Sequence, residues 1–265
     1  MRTTHHDQIR ALTGHVPSRR PTWKAVRGQL WLNHAIWLSG LSEKEFSDIY
    51  IRRGRSDSKL VEKWRKGMAI PSTTSVRALE GKLPGTRWVF DLPLFPLLAD
   101  QPLSRAALTR LTQGTIGVGL LGPRAFQLPE GGYEWQSEHL VWRGDLWGLS
   151  AIVTMMRFAE VEADDHGHAQ ASMDAFRALP ALLRTPWAAP AIKALGDALD
   201  TVRRRVPFSA QAFKVDWPAI EELAAAPDFH PDPGHRPRDA MGYAETYRDT
   251  VIQMRQVPAR KQHRW

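Results

Sequence analysis

The chain has 265 residues, of which 43% are apolar and none is cysteine, and a formal net charge of +8. That apolar share supports a real core and excludes a wholly disordered chain. The missing thiol excludes disulfides, thiolate zinc sites and a cysteine nucleophile. The charge is one-sided. Residues 1–90 hold 17 Lys/Arg against 7 Asp/Glu, a net +10, while residues 91–265 hold 19 against 21, a net −2. A field so concentrated attracts a polyanion and makes its binding salt-dependent. The reading that competes is a solvated basic face with no specific partner. A reducing, cytoplasmic setting is expected. The opening residues carry no apolar signal-peptide core. The longest apolar runs, residues 149–156 and 179–183, are too short to span a bilayer, so no membrane partner is expected.

In chain order, residues 1–22 read as a basic arm, flexible or loosely docked, with His5, His6 and an Arg19-Arg20-Pro21 breaker. Residues 24–38 place Val26, Leu30, Trp31, Ala35 and Leu38 at mixed i+3/i+4 spacing, which predicts a first helix. Ser42, with Glu45 three residues on, makes a capping box for a second helix running to about Tyr50 or Ile51. A basic turn, Arg52-Arg53-Gly54-Arg55, follows. Ser56 or Asp57 then caps a third helix that stops at Gly67. Pro71-Ser72 restarts the chain into a helix over residues 74–83, and Pro84-Gly85 ends it.

Residues 88–98 are apolar and interrupted by proline, which predicts a buried connector rather than a strand. A short helix is expected over 103–112. Residues 114–122 are Gly-rich and 126–133 turn-rich. Helices are expected over 145–161, 169–183, 189–206 and 218–225. The last forty residues hold Pro227, Pro231, Pro233 and Pro237, then an expected helix near 239–255 and a basic tail. Strand signals are sparse and no repeat is present. The fold class is therefore mainly α: a helix-turn-helix unit at 23–90, followed by a larger helical regulatory or oligomerisation domain at 91–265 with a Pro-rich C-terminal tail.

The third helix carries the functional signal. On a helix, Leu60, Val61 and Trp64 share one side, whereas Ser58, Lys59, Glu62, Lys63 and Lys66 lie broadly on the other. One side suits burial and the other stays mostly cationic. Lys59 and Lys63 are one turn apart and suit the floor of a major groove, since Lys donates to guanine O6 and N7 and Ser58 donates or accepts. Arg52, Arg53, Arg55, Arg65 and Lys66 flank this face and suit phosphates.

The run KLVEKWRKGMAIPSTTSVRALEGKL resembles the second half of the Cro and lambda-repressor-like helix-turn-helix family. Val61, Trp64, Gly67, Pro71, Ser72, Val76, Leu79 and Leu83 fall on that family's positions. The resemblance implies a compact, all-helical DNA-binding unit whose third helix reads the groove. Ser58, Lys59 and Lys63 would be base readers, with Asp57 and Glu62 beside them. It further implies double-stranded DNA as partner, a homodimer, and the role of a bacterial or phage-type transcriptional regulator, with no enzymatic activity, cofactor or metal. The region 91–265 would be open to a protein partner. Two other classes stay open: a scaffold or defence-system component whose helix-turn-helix contacts protein or binds nucleic acid without reading sequence, and a helical enzyme assembled around His166 and His168.

Other patterns weigh less. Gly117-Val118-Gly119-Leu120-Leu121-Gly122 matches GxGxxG, but Pro123 follows at once, where a dinucleotide fingerprint needs an opening helix. No GK[ST] or GxSxG occurs. Asp164-Asp165-His166-Gly167-His168 offers metal-ligand types, but adjacent residues seldom converge without a distant partner; a polar loop is the better reading. Glu160 and Glu162, two apart, share no helix face. The 11 Trp are expected mainly in cores and interfaces rather than as stacking platforms.

Overall fold

The computed structural model describes residues 23–51, 59–113, 140–141 and 143–226, and the backbone of 252–254. Among these the chain is mainly helical, with almost no strand. Helix α1, Trp23–Ser39, is the first pillar. Ala25, Val26, Leu30, Trp31, Leu32, His34 and Ala35 are all buried, so it is enclosed on most sides rather than along one stripe. It ends where Gly40 turns left-handed, at φ +66. The expected capping box then opens α2, Glu43–Phe46. The Ser42 hydroxyl accepts from Glu45 N at 3.3 Å, while the Glu45 carboxylate accepts from Ser42 N at 3.0 Å. α2 runs on as a π-helical turn, Ser47–Ile51.

Helix α3, Leu60–Arg65, is followed by α4, Thr73–Glu80, capped by the Ser72 hydroxyl accepting from Ser75 N at 3.0 Å. The apolar connector winds into two single-turn helices, α5 (Arg87–Phe90) and α6 (Leu94–Leu97). Pro96 sits within the first turn of α6, where a missing N–H costs nothing. The Glu80 carboxylate fixes the entry to α5, accepting from Gly85 N, Arg87 N and the Thr86 hydroxyl. Partial burial works to raise its pKa, but these bonds outweigh that and hold it below the usual range. Helix α7 spans Arg105–Gln113.

The second half is built on α8 (Leu146–Val161) and α9 (Asp165–Arg177), which pack against each other extensively. Asp145 and Asp164 cap them, accepting from Gly148 N and Gly167 N. The segment 169–183, expected as one helix, is two. Pro180 has no N–H to continue the ladder, so α10 (Leu179–Leu183) starts separately. Helix α11 spans Ala189–Arg203 and stops before the expected residue 206. Pro207 starts α12, Pro207–Ala212. Strand β1 (Phe213–Val215) and helix α13 (Trp217–Ala225) follow. Strand β2, Ile252–Met254, pairs antiparallel with β1 in the register Phe213↔Met254. That corrects the helix expected near 239–255 at these three residues, where backbone pairing to β1 prevails over local helix preference; the rest of that helix, and the Gly-rich and turn-rich segments at 114–133, lie outside the described residues.

One apolar core runs from Val26 to Ile220 without a break at residue 90. Helix α1 touches α3, α5, α6 and α11. Two aromatic clusters join these layers. Trp31 meets Trp64 and Phe90 edge-on at 5.5 and 6.1 Å. His34 meets Trp88 at 5.3 Å and Trp187 at 4.8 Å, and Trp88 stacks on Trp147 at 6.3 Å. No helix among the described residues is long and apolar enough to cross a membrane.

Candidate nucleic-acid interface

Helix α3 is anchored by two side chains. Val61 and Trp64 are each 3% exposed, and Trp64 seats its ring against Trp31 of α1. The helix ends on a left-handed Gly67, φ +66, whose α-carbon faces the Ala25 methyl closely enough that an added Cβ would stand 3.0 Å from it. Behind it, Pro71 lies over Gly28 of α1, where an added Cβ would come within 2.7 Å of the proline ring. These two close approaches require glycine, and they draw the α3–α4 connection onto α1. The Gln29 amide completes the attachment, donating from Nε2 to the Arg65 carbonyl at 2.9 Å.

The opposite side of α3 faces water. Lys59 and Lys63 are exposed and have no ion-pair partner among the described residues. Neither is covered by the later helices. Lys66 and Arg65 are also exposed, but each is engaged. Lys66 Nζ lies 2.5 Å from Glu62 Oε1 one turn back, and Arg65 Nη1 lies 3.0 Å from Glu43 Oε2 of α2. The hydrogen bond from Lys66 and its charge hold the Glu62 carboxyl below the usual carboxylate range. The four cations thus divide into two lysines that close no ion pair among the described residues, Lys59 acting on Glu62 only at longer range, and two groups paired with carboxylates. The remaining expected contacts, Ser58, Arg52, Arg53 and Arg55, lie outside the described residues. The Ser56 or Asp57 cap expected for this helix is corrected: it starts at Leu60, with Lys59 in the N-cap position and no side-chain cap bond.

Sequence reasoning missed Gln29 and Glu43. Their partner, the Arg65 end of α3, is distant along the chain, and no spacing pattern signals such a pairing. The acidic–histidine run at 164–168 is resolved differently from a metal site. Asp164 caps α9, the His166 ring lies 4.7 Å from Phe208, and His168 is fully buried with Nδ1 2.6 Å from the Ser209 hydroxyl. Burial, reinforced by Arg157, Arg203 and Arg205, lowers the His168 pKa to about 4. Among the described residues no group of three His, Asp or Glu converges as a metal ion would need. Glu160 and Glu162 serve arginines: Glu160 pairs with Arg157 and Arg205, Glu162 with Arg105. No protein-family model, curated protein or solved structure matches the chain.

Proposed function

We propose that the protein binds double-stranded DNA sequence-specifically as a transcriptional regulator of bacterial or phage type. The observation that carries this reading is the division of α3. Val61 and Trp64 bury one side, while Lys59 and Lys63, one turn apart and closing no ion pair among the described residues, project from the other. The +10 net charge of residues 1–90 supplies non-specific attraction. Lys59 and Lys63 then read base edges, with Ser58 beside them, while Arg65, Lys66 and the Arg52, Arg53 and Arg55 turn grip phosphates. In a homodimer two such helices would address half-sites about 34 Å apart. Selection from random duplexes with the purified protein tests this. Enrichment of one sequence is expected, and an unenriched pool after repeated rounds refutes sequence reading.

A second reading is favoured by Met68 and Ile70, apolar side chains 73% and 46% exposed directly behind α3. A helical scaffold or defence-system component could use them for protein contact. Its signature is a stable partner recovered by pull-down, with no selectable DNA sequence.

A further inference from the structure

A cleft of about 390 Å³ opens where α1, the start of α2, the end of α3 and the start of α11 meet. That volume lies within the roughly 300–1,000 Å³ of small-molecule sites. Its walls are of two kinds. Trp37, Trp187, Pro186 and Pro190 give flat apolar faces, and Trp37 leaves 53% of its surface in water although the site is concave. The polar side is Gln29 and Asn33 with the Arg65–Glu43 pair. Arg65 Nη1 and Glu43 Oε2 lie 3.0 Å apart, comparable to the separation of the two charges within an α-amino acid. The Gln29 Nε2 bond to the Arg65 carbonyl fixes that amide's orientation and leaves Oε1 buried without a partner.

From this geometry we infer that the cleft is a binding site for a small zwitterion of the α-amino-acid class with an apolar or aromatic side chain. The ligand carboxylate takes Arg65 and its ammonium takes Glu43, laid head to tail across the existing pair. The side chain lies between Trp37 and Trp187. An exposed ion pair of this kind contributes only about 0–1 kcal/mol, so loosening it opposes binding little. A ligand with a single charge leaves either Arg65 or Glu43 without a new partner, and this sets the class. The regulatory consequence rests on the DNA-binding reading: a ligand that holds Arg65 removes one phosphate contact at the end of α3.

The test is calorimetric titration of the full chain with L-phenylalanine, L-leucine and L-tryptophan, against hydrocinnamate and phenethylamine, each lacking one charge. At least one amino acid is expected to bind with Kd below about 1 mM, and both single-charge comparators at least tenfold more weakly. Glu43→Gln should lose about tenfold for the amino acid but not for hydrocinnamate. Trp37→Ala, whose side chain is largely in water already, should keep the fold and weaken every ligand. No heat with any amino acid overturns the proposal, as does a comparator that binds equally well. These titrations contain no DNA, so they fail or succeed independently of the DNA reading. Adding the amino acid to a complex with selected duplex should then release DNA, and unchanged duplex affinity at saturating ligand overturns the regulatory step alone.

Discussion

Replacing Lys59 and Lys63 together by alanine separates the reading of DNA from the integrity of the fold. Both side chains are exposed and neither closes an ion pair among the described residues. Their loss should therefore move unfolding free energy by no more than about 0.5 kcal/mol. If each lysine reads a base edge, each is worth about 1–3 kcal/mol of discrimination. The pair then accounts for about 2–6 kcal/mol, or roughly 30-fold to above 10,000-fold in preference for the selected duplex. The Arg65→Ala, Lys66→Ala double variant behaves differently. Both groups already share their charge with a carboxylate, at 3.0 and 2.5 Å. Their removal should weaken selected and scrambled duplexes alike and flatten the salt dependence by about 0.9 for each phosphate that is no longer neutralised. Fluorescence anisotropy on both duplexes across a salt series, with urea unfolding alongside, reads all of this. Undiminished preference in the lysine variant, with its unfolding midpoint unchanged, refutes α3 as the reading helix.

Glu62→Gln frees Lys66 and removes a carboxylate from that face, so affinity for any duplex should rise several-fold with a steeper salt slope; a fall in affinity counts against a phosphate role for Lys66. Gly67→Ala should cost about 2 kcal/mol by urea unfolding, because φ is +66 and the new methyl meets Ala25 at 3.0 Å. Gly81→Ala, with ordinary helical φ and an added Cβ in ordinary contact with the Arg77 and Ala78 carbonyls at 3.7 Å, should instead be neutral or stabilising by about 0.5 kcal/mol, and equal effects at the two sites would undo the backbone argument. His168 predicts an acid limb. Its folded pKa of about 4 lies below the free value of 6.5, so folded and unfolded chains are both neutral there at higher pH and its full contribution is present. As pH falls from 6.5 towards 4 only the unfolded chain takes the proton, and about 3 kcal/mol is lost. His168→Gln should flatten that limb of a urea-unfolding series between pH 7 and 4.5, and identical limbs in both proteins would show that other groups set the acid sensitivity.

Much of the helical framework was legible because its signals are local. The Ser42–Glu45 box, the Gly67 stop and the Pro71-Ser72 restart each need only a few neighbouring residues, and each is found where its chemistry places it. The 3.6-residue period also put Val61 and Trp64 into the core and left Lys59 and Lys63 outside it. What escaped depends on partners far along the chain. His168 looked like part of a polar loop, because nothing near it in sequence shows that Ser209, 41 residues on, receives its ring nitrogen. Arg157 sits in an apolar helix, and although Glu160 is only one turn on, nothing local shows that the Gln101 carbonyl, 56 residues back, also takes its guanidinium and helps to make its full burial tolerable. Strand β1 was missed because three residues make a strand only when β2 arrives from the end of the chain. The cleft was invisible for the same reason, since its walls come from residues 29–65 and 186–191.

The continuity of the core constrains how the C-terminal half can influence α3. Trp31 and His34 lie on adjacent turns of α1. Trp31 carries Trp64 of α3, and His34 carries Trp187 just before α11. His34 is 5% exposed, and burial depresses its pKa against the opposing charge of Glu80, so at neutral pH it packs as an uncharged ring. Swinging α3 away from α1 would open the Trp31–Trp64 contact and the close fits at Gly28 and Gly67 together, and carrying α1 along with it would open the His34–Trp187 contact instead. A core packed this closely does not yield gradually. A hinge at residue 90 is therefore a poor means of control, because core residues cross that point without interruption. The rim offers a less costly one. Arg65 and Glu43 are half in water, hold each other weakly, and border a cleft that contacts both α1 and α11. Control exerted there changes which charges the end of α3 presents, while its backbone stays fixed on Trp64.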